Sequence, residues 1–309
     1  MQIVQPSLRD GSPTAAPRLR LAIGIASVGR PSVLLETVRW LQLQTRAPDA
    51  IVVCVPSHLD AAGLTDLCPN VQIITGARGL TRQRNAICRA LNGFDLVIFF
   101  DDDFVASSQY LEEVEDTFLN HPNIVIATGR VIADGISGEG ICFEAATEVV
   151  QGHESNGLRR VGITDVSNGY GCNMAVRLAP VQENNIEFDE NLPLYGWLED
   201  VDFSRQLARY GRIVRLESAQ GVHLGVKSGR QSGARLGYSQ VANPLYLVRK
   251  GTCSWKRALF LMSRNISANV VCYIRPEPYV DRRGRLKGNV RALLELLAGR
   301  LHPSRILTF

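Results

Sequence analysis

The chain has 309 residues, 45% of them hydrophobic and 21% charged, so it can bury a full core and reads as globular rather than disordered. Its net charge of +4 is unevenly placed, because thirteen Lys and Arg against Glu277, Asp281 and Glu295 over residues 244–309 leave a tail of +10 on a body of −6. No stretch reaches the roughly 18 uncharged apolar residues of a membrane span, since the best one, Ala258–Ile274, is interrupted by Arg264 and Asn265.

Residues 1–19 carry Pro6, Pro13 and Pro17 among small polar residues, without the apolar core of a signal peptide, and read as a flexible N-terminus. Leu19–Ala26 is a predicted strand that ends in the turn Ser27–Pro31. A helix follows, with Ser32 as its cap and Val33, Leu34, Val38 and Leu41 at helical spacing. Ala50–Val55 and Val71–Ile74 are predicted strands, Thr81–Leu91 a helix, and Leu96–Phe100 a buried strand that runs into Asp101-Asp102-Asp103. Gln109–Leu119 is predicted as a helix and Ile124–Val131 as a strand, whereas Gly135–Gly162, with its weak periodicity, is predicted as a mobile loop. Val166–Arg177 and Ile213–Leu216 supply further strands around a helix at Glu199–Tyr210. Strands alternating with helices at this spacing imply an α/β fold whose ligands bind at the carboxyl ends of the strands, where the acidic triplet lies. The domain boundaries predicted are 1–19, 20–240 and a basic helical extension over 241–309. In that extension Leu286, Val290, Leu293, Leu294, Leu297 and Leu301 trace one helix face. The seven cysteines sit mostly in apolar contexts and include no close pair of metal-ligand spacing, which fits buried thiols of a reducing, cytoplasmic compartment.

Three adjacent carboxylates repel one another and are stable only where a cation, basic partners or solvent compensate them. Asp101–Asp103 is therefore a candidate site for a hard divalent ion. A second acidic motif, Gly196-Trp197-Leu198-Glu199-Asp200, opens a helix about one hundred residues later.

Taken in order, Gly79-Leu80-Thr81-Arg82-Gln83-Arg84-Asn85, Asp101-Asp102-Asp103 and Glu199-Asp200 resemble the family 2 glycosyltransferases of the GT-A fold, especially the bacterial exopolysaccharide and cell-surface polysaccharide enzymes. The resemblance covers roughly residues 20 to 225 and implies a Rossmann-like mixed sheet flanked by helices. It implies a nucleotide-diphosphate sugar as donor, a divalent cation (Mn or Mg) that neutralises the diphosphate, and a saccharide or lipid-linked saccharide as acceptor. By resemblance Asp103 is the direct metal ligand and His223, in Gly221-Val222-His223-Leu224, a further one. Asp101 holds the ribose or a metal-bound water, with Asp102 sharing one of those tasks. Asp200 is the catalytic base of an inverting attack, while Glu199 orients the sugar or its loop. Ser27 lies near the nucleoside, and Arg82 and Arg84 supply bonds to phosphate or base edges. Trp197 offers a flat face for sugar stacking or fills a structural place at the helix start; Asn173 matches a polar position on the acceptor side. One departure is visible: where many relatives place an aspartate pair against the nucleobase, this chain has Cys54-Val55-Pro56-Ser57.

The basic extension predicts an anionic partner, a membrane surface or phosphorylated lipid, met by residues 244–309 at the inner face of the cytoplasmic membrane; nucleic acid is not expected. A sugar-nucleotidyl or phosphoryl transferase would also use carboxylates and a divalent ion, but Ala26–Pro31 lacks the glycines of a phosphate loop. An aspartyl phosphatase would want threonine where Val105 stands. A non-catalytic nucleotide-sugar-binding protein is the third alternative.

Overall fold

The computed structural model describes residues 18–156, 162–228 and 232–309; the predicted flexible N-terminus lies outside them up to residue 17. The strands are β1 (Leu21–Ala26), β2 (Ala50–Val55), β3 (Val71–Thr75), β4 (Leu96–Asp101), β5 (Phe104–Ala106), β6 (Ile124–Asp134), β7 (Ile163–Asp165), β8 (Asn173–Arg177) and β9 (Arg212–His223). The helices are α1 (Pro31–Leu41), α2 (Leu64–Leu67), α3 (Leu80–Ala90), α4 (Tyr110–Asn120), α5 (Phe143–Ser155), α6 (Leu178–Glu183), α7 (Glu199–Leu207), α8 (Gly233–Lys250), α9 (Trp255–Val271) and α10 (Arg282–Leu297).

All nine strands form one mixed sheet in the order β3-β2-β1-β4-β8-β6-β9-β5, with β7 added antiparallel to β9. β3, β2, β1 and β4 are parallel, and the near-continuous apolar runs of β2, β1 and β4 are buried against helices on both faces, while β3 is the partly exposed edge. β8 then runs antiparallel between β4 and β6, and β6 is again parallel to β9. One core joins β1, β2 and β4 to α1 and α4, and a second packs the opposite sheet face on α3, α6 and α7. Each fully buried Leu, Ile or Phe in these layers contributes about 1.5–3 kcal/mol.

Three local expectations change. α1 starts with Pro31 at its first turn, where a missing N–H costs nothing, so Arg30 rather than Ser32 occupies the cap position, without a side-chain cap bond. The predicted loop at Gly135–Gly162 contains α5, which buries Ala146 and Val150 between glycine-rich flanks that hide its period; residues 157–161 of that stretch lie outside the described residues. β9 extends to His223, well past the predicted Ile213–Leu216, because it pairs first with β6 and then with β5.

The C-terminal helices pack as a unit of their own, and α8 runs straight through the expected boundary at residue 241. Glycines set their spacing. A Cβ on Gly237 would collide with the carbonyl of Arg285, and one on Gly288 with that of Ala234, so α8 and α10 meet almost backbone to backbone. Between them and α9, the buried amides of Asn269, Asn289 and Gln240 bond one another, with Asn289 Nδ2 donating to the Gly237 carbonyl at 2.7 Å. Glu295 closes the unit, accepting from Tyr238 Oη at 2.6 Å and Arg305 Nε at 2.7 Å. The Arg305 hydrogen bond lowers the Glu295 carboxyl to about 2. A carboxyl depressed in the fold binds its proton more readily once unfolded. The unit should therefore be held by this bond above the ordinary glutamate range and lose its contribution as pH falls toward about 2. Unfolding followed by tryptophan fluorescence between pH 3 and pH 6 should show a shallower acid dependence in Glu295→Gln than in wild type (a window of about 3 units).

Candidate active site

β4 delivers the first acids. Asp101 ends the strand in register with Ala26 of β1, and the next two residues lead directly into β5, whose Phe104 pairs with His223 of β9. That pairing, with Leu224 N donating to the Asp103 carbonyl at 2.9 Å, carries His223 against the acidic turn.

Asp101, Asp103 and His223 each offer a ligand atom within 4.8 Å of the others. In both acids one oxygen is tethered and the other faces the imidazole. Asp101 Oδ1 accepts from Arg84 at 3.2 Å while Oδ2 lies 3.9 Å from His223 Nε2. Asp103 Oδ2 accepts from Val226 N at 2.9 Å and Arg30 Nη1 at 3.3 Å while Oδ1 lies 3.5 Å from the same Nε2. The ring is oriented from behind by Asp134 Oδ1, 2.9 Å from Nδ1, and Asp134 is held in turn by Tyr170 Oη at 3.0 Å. A carboxylate behind a histidine, fixing which nitrogen points forward, is the arrangement that supports imidazole ligands in metal sites. Burial alone would lower the His223 pKa, but the facing carboxylates of Asp103 and Asp134 overcome it and raise it to about 10. Burial likewise pushes Asp103 up, and the His223 bond and Arg30 pull it below the usual carboxylate range. This set of hard oxygens with one imidazole fits Mn2+ or Mg2+.

Asp102 faces the other way. It is fully buried, 2.7 Å from Arg30 Nη2, and accepts from Ser27 Oγ at 2.5 Å; burial raises its carboxyl to about 7 against the pull of Arg30. Asp102, Ser27 and Arg30 thus brace the loop between β1 and α1 beneath the two forward acids.

The second acidic motif follows a strained turn. Leu194, Gly196 and Leu198 all have positive φ (61°, 62° and 73°), and for the leucines this backbone costs about 1–2 kcal/mol each. The turn persists because neighbours pin it: Leu80 N of α3 donates to the Leu194 carbonyl and Asn243 Nδ2 of α8 to the Trp197 carbonyl, both at 2.8 Å. Strain held in this way aims the residues that follow. Asp200 accepts from Gly171 N at 3.2 Å and Val201 N at 2.8 Å, and burial raises its carboxyl above the usual aspartate range. Beside it, Glu199 Oε1 accepts from Arg84 Nη1 at 2.7 Å, whereas Oε2 is buried without a partner. Burial lifts Glu199 to about 8 against the pull of Arg84.

Arg84 joins the two motifs. Its guanidinium, 2% exposed, donates to Glu199, to Asp101 and to the Gly171 carbonyl at 2.7 Å, while the Gly171 N–H holds Asp200. The Cys172 thiol next to it is pushed well up by burial and by the charges of Asp101, Asp134, Asp103 and Asp200. The C-terminal helices secure the same segment: Asp202, fully buried, accepts from Lys250 Nζ and Thr252 Oγ1 at 2.7 Å, and Arg257 Nη2 donates to Asn168 at 2.9 Å.

The remaining predicted residues lie elsewhere. Arg82 is half exposed and pairs with Glu190 at 3.4 Å. Arg84 is an internal bridge whose donors are occupied by protein. Asn173 is fully buried, accepting from Thr128 Oγ1 at 2.6 Å and donating to the Gly129 carbonyl, so its amide is occupied within the protein. Trp197 is half buried at the strained turn. Sequence reasoning missed Arg30, Asp134, Tyr170 and Gly171. Asp134 carried little signal, since it lies at the exposed end of β6 past the apolar run; Arg30 carried one in its place before the proline that opens α1.

Fold and site together define a mixed α/β protein with a carboxylate–imidazole cluster at the strand ends. Residues 17–215 match the family described as glycosyltransferase like family 2, and the chain belongs to that family. Among solved structures, GalNAc-T7 with UDP, GalNAc and Mn2+ is similar over 91% of this chain at 14% identity and TM-score 0.57, a likeness in fold. TarS of S. aureus aligns over 73% of the chain at 15% identity and TM-score 0.48. The chain spans 57% of the GalNAc-T7 chain and 40% of the TarS chain. No curated protein matches it.

Proposed function

We propose that this protein is an inverting glycosyltransferase that moves a sugar from a nucleotide-diphosphate donor to a hydroxyl of a saccharide or lipid-linked saccharide, in bacterial polysaccharide synthesis at the inner face of the cytoplasmic membrane. The observation that supports the reading is the Arg84 bridge, which bonds Asp101, Glu199 and the Gly171 carbonyl while the Gly171 N–H bonds Asp200, so that the two acidic motifs share one anchor. Asp101, Asp103 and His223 would hold the divalent ion, which when bound supplies the positive charge that makes a nucleotide diphosphate a good leaving group. Arg30, beside Asp103, adds a fixed cation at the same place. Asp200, more basic than an ordinary aspartate because of its burial, accepts the proton of the acceptor hydroxyl as that oxygen attacks the anomeric carbon from the face opposite the diphosphate. Glu199 orients the transferred sugar or its loop, and Trp197 offers its face to the acceptor saccharide. GalNAc-T7 is described with UDP and Mn2+ together, the pairing of nucleotide and ion proposed here.

Thermal unfolding across a panel of nucleoside diphosphates, with and without Mn2+ or Mg2+, tests the donor half. One nucleoside diphosphate should raise the melting temperature only with metal, by an amount equivalent to about 2.7 kcal/mol at a hundredfold excess over its dissociation constant. The shift should vanish in Asp103→Ala. If no nucleotide stabilises the protein with either ion, the donor assignment is wrong.

A further inference from the structure

α10 is amphipathic in sequence but sits reversed in the fold. Its small and polar residues Gly288, Asn289, Ala292 and Glu295 face α8 and α9, while Val290, Leu294 and Leu297 point outward, Leu297 being 86% exposed. α9 shows the same inversion: Ala258, Met262 and Asn269 are buried, and the opposite stripe carries Leu259, Phe260, Val270 and Val271, continuing to Ile274, which is 81% exposed. Helices that spend glycines and amides on packing and leave aliphatic side chains in water have a second surface to satisfy.

The cations are placed around this face. Lys256, Arg264, Arg275 and Lys287 are exposed along it, and Arg283 bridges the helices by stacking on Tyr273 at 5.6 Å. Each acid of the extension is engaged within it: Glu277 with Arg282 at 2.6 Å, Glu295 with Arg305, and Asp281 on the N-terminus of α10. A groove of about 410 Å³ opens between the helix ends, with Leu286, Val290 and Leu294 as its floor and Arg283, Lys287 and Arg291 at its rim. An apolar floor ringed by cations matches an amphiphile with an anionic head and a hydrocarbon body. A second copy of the chain fits poorly, since an isologous contact would set the same cations against each other. No helix of the described residues is long and apolar enough to cross a bilayer, so this face lies on a membrane rather than through it.

We infer that the outward face of α9 and α10 docks on an anionic lipid bilayer, sinking Phe260, Val271, Ile274 and Leu297 between headgroups while the flanking lysines and arginines meet lipid phosphates. This deepens the membrane-proximal reading proposed above and rests on it. Because Lys250 at the end of α8 and Thr252 just past it grip Asp202, two residues past Asp200, while Arg257 at the start of α9 holds Ser167, the docked helices and the base are mechanically joined.

The test is co-sedimentation of the full chain with sucrose-loaded vesicles, without donor or acceptor. Vesicles with about 30% anionic lipid should pellet the protein and neutral vesicles should not, and about 0.5 M salt should weaken the binding. The double variant Val271→Glu/Leu297→Glu changes two exposed positions; it should keep the wild-type circular dichroism and melting temperature and bind anionic vesicles at least about tenfold more weakly. Wild-type protein that stays in the supernatant, or a variant that pellets equally, overturns the proposal. So does a sedimentation-velocity dimer that the variant abolishes, which would assign the face to a second copy. Metal-dependent nucleotide binding is read separately: if it persists without vesicle binding, the docking face is wrong and the transferase reading stands, and the reverse result sinks the transferase reading alone.

Discussion

Asp200→Asn is expected to lower kcat for sugar transfer by about 10²–10⁴-fold while leaving metal-dependent nucleotide binding unchanged. Asparagine keeps the size of the side chain and one acceptor oxygen, enough for one of the Gly171 and Val201 amides that Asp200 accepts through separate oxygens, and the strained turn from Leu194 to Leu198 stays pinned by Leu80 N and Asn243 Nδ2. What disappears is the capacity to take a proton. Steady-state kinetics with a saccharide acceptor, paired with calorimetric titration of the nucleotide, separates the two effects. A variant that transfers sugar at the wild-type rate would remove Asp200 from the chemistry.

The second large effect concerns Arg84, which supports both acidic motifs from beneath. Arg84→Met should cost about 3–5 kcal/mol in denaturant unfolding, because it takes from buried Glu199 the bond at its Oε1 and from Asp101 its buried cation. The cost comes from the buried polar groups left unpaired, the Glu199 carboxyl, which burial then keeps protonated, and the Gly171 carbonyl. Adding Glu199→Gln should change stability little further, whereas activity should stay low because Asp101 and the Gly171 loop lose their common anchor. If Arg84→Met unfolds at the wild-type denaturant concentration, the bridge carries no load.

Much of the fold was readable from the chain. β1, β2 and β4 announce themselves as apolar runs that end in turn residues, and the acids after Phe100 mark the end of a buried strand, where α/β sheets bind ligands. The order of the acidic motifs was enough to suggest the family. Sequence pattern could not show the direction in which neighbouring acids point. Asp102 and Asp103 are adjacent in chain and share the Arg30 guanidinium, yet only Asp103 reaches the His223 ring, while Asp102 is buried against Ser27. Arg84 and Asn173 look like surface contacts in a polar motif, yet tertiary packing spends both internally. α5 was hidden because glycines on both sides blur its period. The leucine stripe of α10 was visible, but which side of the helix is buried depends on the backbone contact through Gly237 and Gly288, a property of the helix pair.

The central claim is that one cleft holds a cation between Asp101, Asp103 and His223 on one wall and a base, Asp200, on the other. A crystal soaked with Mn2+ and the nucleoside diphosphate that stabilises the protein, with data collected at the manganese edge, tests it most directly. The account predicts one anomalous peak about 2.0–2.3 Å from an oxygen of Asp103 and from His223 Nε2, bridging to the diphosphate, with the Asp200 carboxylate open toward the sugar position. Manganese and nucleotide bound away from these residues, or a nucleotide seated so that Asp200 is walled off from it, would contradict the account.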